Sequence, residues 1–198
     1  MGRLPNTGLR DKILQEAIGI IYREGPRRIT MRFLAKQLGY SAATIYLYFQ
    51  NKQELLKEIA LYGYGKLAVA MQHVERIEDT CEALAEMARV YIEFGLTNPQ
   101  LYSLMFQELD MMHDLTPDEG KLVQYSCCLA RNRYSSGIES GVFRPGDPDV
   151  EAMLGWAWAH GFVQLVLSER LPPALAQPKQ LRAIRELAIE ERFRGLRA

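Results

Sequence analysis

Along most of the chain apolar residues recur every three or four positions, and no stretch alternates convincingly enough to predict a strand. Ile13, Leu14, Ala17, Ile18 and Ile21 form the first stripe. They predict a helix from about Leu9 to Glu24, ended by Gly25-Pro26 because proline biases the preceding residue away from helix. Met31, Leu34, Ala35 and Leu38 predict a second, short helix capped by Thr30, with Gly39 where a helix closes on a left-handed residue. Ser41 caps a third segment, SAATIYLYF, in which Ile45 and Phe49 share a face. Two helices joined by so short a turn cross steeply and expose the second, as in a helix-turn-helix.

Asn51-Lys52-Gln53-Glu54 resembles a capping box with Asn in place of Ser/Thr, opening a long helix towards His73. Gly63 and Gly65 lie inside it, as sites of bending or close packing. Helices are then predicted from about Asp79 to Leu96, and from Asn98-Pro99 through Leu101, Tyr102, Met105, Phe106 and Leu109. The capping box Thr116-Pro117-x-Glu119 starts another, which runs towards Ser140 and stops at Gly141. Asp147-Pro148 opens a strongly apolar helix to about Leu171, ended by Pro172-Pro173, and a last helix spans about Pro178 to Arg194. The expectation is an all-α protein: an N-terminal three-helix helix-turn-helix domain, residues 1–60, and a C-terminal helical domain, residues 61–198.

Charge adds to this division. The chain is neutral overall. Residues 1–60 hold ten Lys/Arg against five Asp/Glu, and residues 61–198 hold fourteen against nineteen. A basic head on an acidic remainder is the asymmetry of a nucleic-acid-binding domain joined to a non-binding one, although chance unevenness could give a difference of this size. With 48% hydrophobic residues the 198-residue chain can bury a substantial core. No apolar run is long enough to span a membrane and there is no signal-peptide core, so a cytoplasmic protein is expected. Cys81 and the adjacent pair Cys127-Cys128 show no metal-ligand spacing, which predicts buried, reduced thiols and no metal or other cofactor.

The exposed face of the third helix carries the candidate chemistry. Ser41, Ala42, Ala43 and Thr44 are small enough to approach base edges and thymine methyls. Tyr46 and Tyr48 offer phenolic donors to phosphate. The N-terminus at Asn51, with the Lys52 ammonium, forms an anion site. Arg32, on the second helix, can bond both acceptors of a guanine edge, worth about 1–3 kcal/mol of discrimination, or it can hold a phosphate. Arg3 and Arg10 belong to a segment without periodicity, which could be a basic arm or a disordered tail.

The pattern Thr30, Arg32, Leu34-Ala35, Leu38-Gly39, Ser41, Thr44, Tyr46, Tyr48-Phe49, Asn51-Lys52 and Leu55-Leu56, over roughly residues 9–60, resembles the DNA-binding domain of TetR-family transcriptional regulators. Trp156-Ala-Trp158-Ala-His160-Gly161 is similar to the Trp-x-His-Gly signature in the C-terminal domain of one subgroup. The resemblance implies a ligand-responsive repressor that binds a pseudo-palindromic operator in double-stranded DNA as a homodimer. Its dimer contact would be a four-helix bundle built from the helices at about 148–171 and 178–194. It further implies that Thr30, Thr44, Tyr46, Tyr48 and Lys52 hold phosphates while Arg32, Ser41, Ala42 and Ala43 face bases. Leu154, Ala157, Phe162, Leu165 and Val166 leave the first bundle helix little polar surface, with Gly155, Ala159 and Gly161 small enough for close helix contact.

A small-molecule pocket is also implied by the resemblance. Tyr91, Phe94, Tyr102, Met105, Phe106, Tyr125, Trp156 and His160, with Met111 and Met112, would suit an apolar or aromatic effector. The same stripe is equally a core pattern. The alternatives are a helical protein–protein adaptor or an enzyme. For an enzyme the chain has Cys127, Cys128, His113 and His160, but no nucleophile motif, phosphate-cradling loop or metal spacing, so no enzymatic activity is expected.

Overall fold

A computed structural model describes residues 7–108 and 115–197. Leu109, Met111, Met112 and His113, and Arg3 of the proposed arm, lie outside the described residues. Among the described residues the chain is helical: α1 Thr7–Glu24, α2 Met31–Leu38, α3 Ala42–Tyr46, α4 Lys52–Met71, α5 Thr80–Thr97, α6 Pro99–Ser103, α7 Pro117–Glu139, α8 Pro148–Leu167 and α9 Pro178–Arg194. Short 3-10 turns cover Pro26–Arg28 and Gln72–Arg76, and a π-helical turn covers Leu104–Glu108. The one extended pairing among them is an isolated bridge between Phe143 and Arg197.

The residues form two compact units: 1–66 with 98–122, and 67–97 with 123–198. In the first, Ile13, Ala17, Ile20 and Ile21 of α1 are fully buried together with Ile29, Leu34, Ile45, Phe49, Leu55 and Ile59. Except for Ile20 and Ile29, these are positions the sequence pattern marks as apolar; Leu14 of the first stripe is half-buried. Arg10 does not extend as an arm. It pairs with Glu58 of α4, and its guanidinium lies 4.9 Å over the Phe49 ring. The helix α6 packs against α1. Asn98 is not a conventional cap: its Oδ1 accepts from Tyr22 Oη at 3.2 Å and from Lys66 Nζ at 3.3 Å. The glycine at 63 is required for space, since a Cβ there would stand 2.5 Å from Met105 Sδ, whereas Gly65 has open space. Both sit within an unbroken α4.

In the second unit α5 packs against α8 and α9. One helix of this unit ends earlier than the sequence expectation. The strongly apolar helix stops at Leu167, four residues before Leu171, because Ser168 caps it and Glu169 takes a left-handed φ of 55°. Cys127 and Cys128 are exposed and Cys81 is half-buried, so the expected buried thiols are not found. The buried positions of α7 are Tyr134 and Gly137, both C-terminal to the pair.

Candidate nucleic-acid interface

The head is built by three caps. Thr30 Oγ1 accepts from Phe33 N–H at 3.1 Å and starts α2. Gly39 ends it with φ 72°, while Tyr40 N–H donates to Ala35 O at 2.9 Å and Gly39 N–H to Lys36 O at 3.3 Å. That pair of bonds is a Schellman closure, and nothing lies within 4 Å of a Cβ added at 39, so the glycine is needed for its backbone angle. Two residues later Ser41 Oγ accepts from Thr44 N–H at 3.1 Å and starts α3.

The third helix is shorter than the sequence predicts. Regular α-helix covers Ala42–Tyr46, and Leu47, Tyr48 and Phe49 complete the spiral as turns bonded to Thr44 and Ile45. Burying both Ile45 and Phe49 while reversing the chain into the cap at Asn51 leaves no room for a further helical turn. Asn51 Oδ1 accepts from Glu54 N–H at 2.8 Å, and the Glu54 carboxylate accepts from Gln50 N–H at 2.6 Å. The box therefore closes one residue further back than the usual reciprocal pair.

Of the sequence-assigned residues, Thr30, Arg32, Ser41, Ala43 and Tyr46 are exposed, and Ala42, Thr44, Tyr48 and Lys52 are half-buried. All nine fall within one compact unit. Ser41 Oγ already serves the cap and lies 2.9 Å from Thr44 Oγ1, so neither hydroxyl begins uncommitted. Sequence reasoning passed over Leu47, Tyr40 and Gln50, which are exposed on the same head. The available signal was opposition: Ile45 and Phe49 turn inward, so positions 43, 46, 47 and 50 turn out.

The candidate effector residues divide between the units. Tyr102, Met105 and Phe106 pack into the first, with Tyr102–Phe106 centroids 4.7 Å apart and Tyr64–Phe106 5.6 Å apart. Tyr64 Oη donates to Met105 O at 3.2 Å, and burial pushes that phenol up to about 12. In the second unit Trp156 Nε1–H donates to Tyr91 Oη at 2.9 Å, and Tyr91 Oη lies 3.1 Å from His160 Nδ1. Removal from water holds the His160 imidazole below its ordinary pKa. Phe94 is buried nearby in sequence on α5, while Tyr125 Oη donates to Glu75 at the surface. A separate groove of about 480 Å³ is lined by Asp79, Cys81, Glu82, Arg89, Glu186 and Arg194 among others. It contains none of the effector candidates, and its lining is largely charged.

A capped helix-turn-helix head joined to a second helical unit defines the helix-turn-helix transcription regulators as a class. Residues 13–59 match the profile of bacterial regulatory proteins of the tetR family, and residues 84–190 match that of the tetracyclin repressor-like C-terminal domain. The chain belongs to the TetR family. It is 41% identical over 58 residues to an uncharacterized HTH-type transcriptional regulator of Haemophilus influenzae, a match covering 29% of this chain and 31% of that one. It is 28% identical over 101 residues to the Bacillus subtilis regulator YobS, covering 50% and 52%. The chain thus spans about a third to a half of these relatives' lengths. A protein of unknown function from Rhodococcus sp. RHA1 superposes over 100% of both chains with TM-score 0.81 at 22% identity, which establishes a common fold. No helix among the described residues is long and apolar enough to cross a membrane.

Proposed function

We propose that this chain is a cytoplasmic, ligand-responsive transcriptional repressor that binds a pseudo-palindromic operator as a homodimer. The observation that carries the reading is the head itself: an exposed, uncharged recognition surface with Arg32, Lys36 and Lys52 around it. Uncharged groups suit base edges, and cations suit phosphates. Residues 1–60 read DNA in this proposal, and residues 61–198 bind the effector and dimerise. Thr30, Thr44, Tyr46, Tyr48 and Lys52 hold phosphates, and Arg32, Ser41, Ala42 and Ala43 face bases.

Dimerisation is supported by the two faces of α8. Ala152, Ala159 and Val163 are buried within the protomer, whereas Val150, Met153, Leu154, Ala157 and Leu165 are exposed. An outward face this apolar favours a partner helix. Gly161 has open space around it and suits close contact with a second copy, while a Cβ added at Gly155 would stand 3.1 Å from Tyr134 Oη, and Ala159 is buried. With α9 this gives the proposed four-helix contact, and two-fold symmetry sets two heads on one face of the duplex.

The effector is proposed to be apolar or aromatic, meeting Tyr91, Phe94, Trp156 and His160 in the second unit. Assignment to the Trp-x-His-Gly subgroup rests on the sequence around Trp158 and His160. The test is selection from randomised duplex DNA by the full chain, repeated with Tyr48→Ala plus Lys52→Ala. A palindromic sequence retained by the wild type and lost by the double variant is the expected result. Absence of any enriched sequence at low salt, where phosphate contacts are strongest, overturns the reading.

A further inference from the structure

The most exposed large apolar side chain described on the molecule is Leu47, at 74%, and it sits at the end of the recognition helix. Its neighbour Tyr46 is 51% exposed and Tyr40 is 41% exposed. Together with Ala43 and Gln50 they form an exposed strip without a single charge. The inward positions of the same spiral, Ile45 and Phe49, are fully buried, so the head's core is complete without Leu47. The backbone of Leu47 is held in helical conformation by its own N–H bond to Thr44 O, which fixes the direction of the side chain.

A leucine in this position has no use for phosphate, which offers it nothing but charge. In the major groove the one apolar group on a base edge is the C5-methyl of thymine. We propose that Leu47 is a specificity-determining residue that reads a thymine methyl in each half-site. This inference rests on the DNA-binding reading above. Ala43 contributes to the same surface, and Tyr46 beside it is exposed with its phenol assigned to a phosphate in the reading above. The cations lie outside the strip, at Arg32, Lys36 and Lys52, so base edge and phosphate are met by different groups.

The experiment uses the duplex recovered by selection with the full chain. Each thymine is replaced in turn by deoxyuridine, which removes the methyl and leaves every hydrogen-bonding group in place. Affinities are measured for the wild type and for Leu47→Ala. The wild type is expected to lose about three- to ten-fold at one thymine per half-site, as for burial of about one or two methyl-sized groups. Leu47→Ala is expected to bind the thymine duplex with a similar loss and to be indifferent to removal of that methyl. Restoring the methyl on a 5-methylcytosine pair at the same position should recover wild-type affinity in part. Equal sensitivity to the methyl in both proteins overturns the proposal, as does a Leu47→Ala loss that is uniform across unrelated sequences. Failure to recover any duplex at all strikes the DNA-binding reading, whereas a recovered duplex insensitive to uridine strikes this inference alone.

Discussion

The hydroxyl of Tyr91 lies 3.1 Å from His160 Nδ1 and accepts the indole N–H of Trp156 at 2.9 Å. An indole can only donate, and the phenol oxygen that accepts it keeps a hydrogen and a second lone pair for Nδ1, while His160 Nε2 lies 3.5 Å from the Gln164 amide nitrogen. Three side chains from α5 and α8 are therefore joined through a neutral imidazole.

Neutrality of His160 has a pH consequence. Desolvation lowers its pKa in the fold, so the unfolded chain takes up a proton first as pH falls through the ordinary imidazole value of about 6.5. Its contribution to stability is fully present above that value and diminishes below it. Thermal melts from about pH 8 to about pH 5.5 should show a steeper decline for the wild type than for His160→Gln. Parallel profiles would remove the histidine from the account.

Gly39 holds the turn of the head at φ 72° with open space about it. Gly39→Ala should therefore cost only the left-handed backbone penalty, about 1–2 kcal/mol, read by denaturant unfolding. DNA affinity should fall with it, because the Schellman closure sets the crossing of α2 and α3. A loss far above that range would mean that something other than φ requires the glycine.

Leu154 and Leu165 are 45% and 55% exposed on α8. If they meet a second copy, Leu154→Glu with Leu165→Glu places carboxylates in an apolar contact. Sedimentation should then show monomer where the wild type is dimer, with the dissociation constant raised at least about 100-fold. A wild-type chain that sediments as monomer, or a variant that remains dimeric, would contradict the assignment.

The head was legible because its information is local. Thr30, Gly39, Ser41 and Asn51 each fix a cap or a turn through bonds to residues within five positions, so spacing alone describes them. The start of α7 was readable for the same reason: Thr116 N–H donates to Glu119 Oε2 at 2.7 Å. What periodicity could not convey is which apolar position finds a partner. Tyr102 and Phe94 read alike in sequence, yet they belong to different compact units. Gly155 and Gly161 also read alike; a Cβ at the first would meet Tyr134 and the second is open. The end of α8 was misplaced because Glu169 takes a left-handed φ without the glycine that usually announces one.

Ion pairing within the first unit changes what its positive charge amounts to. Arg10 pairs with Glu58, Arg23 with Glu16, Arg28 with Glu24 and Lys57 with Glu119. Glu58, Glu16 and Glu24 are already among the five acids counted along residues 1–60, and Glu119 lies outside that count, so its pairing with Lys57 lowers the excess presented to a duplex by one. With Arg32 and Lys52 as the charged members of the proposed contact set, counterion release is modest, at about −0.9 in the logarithmic salt slope for each phosphate neutralised. A head of this kind grips arbitrary DNA weakly and leaves it quickly. Its dwell time on a binding sequence then depends on how well that sequence fits the uncharged strip.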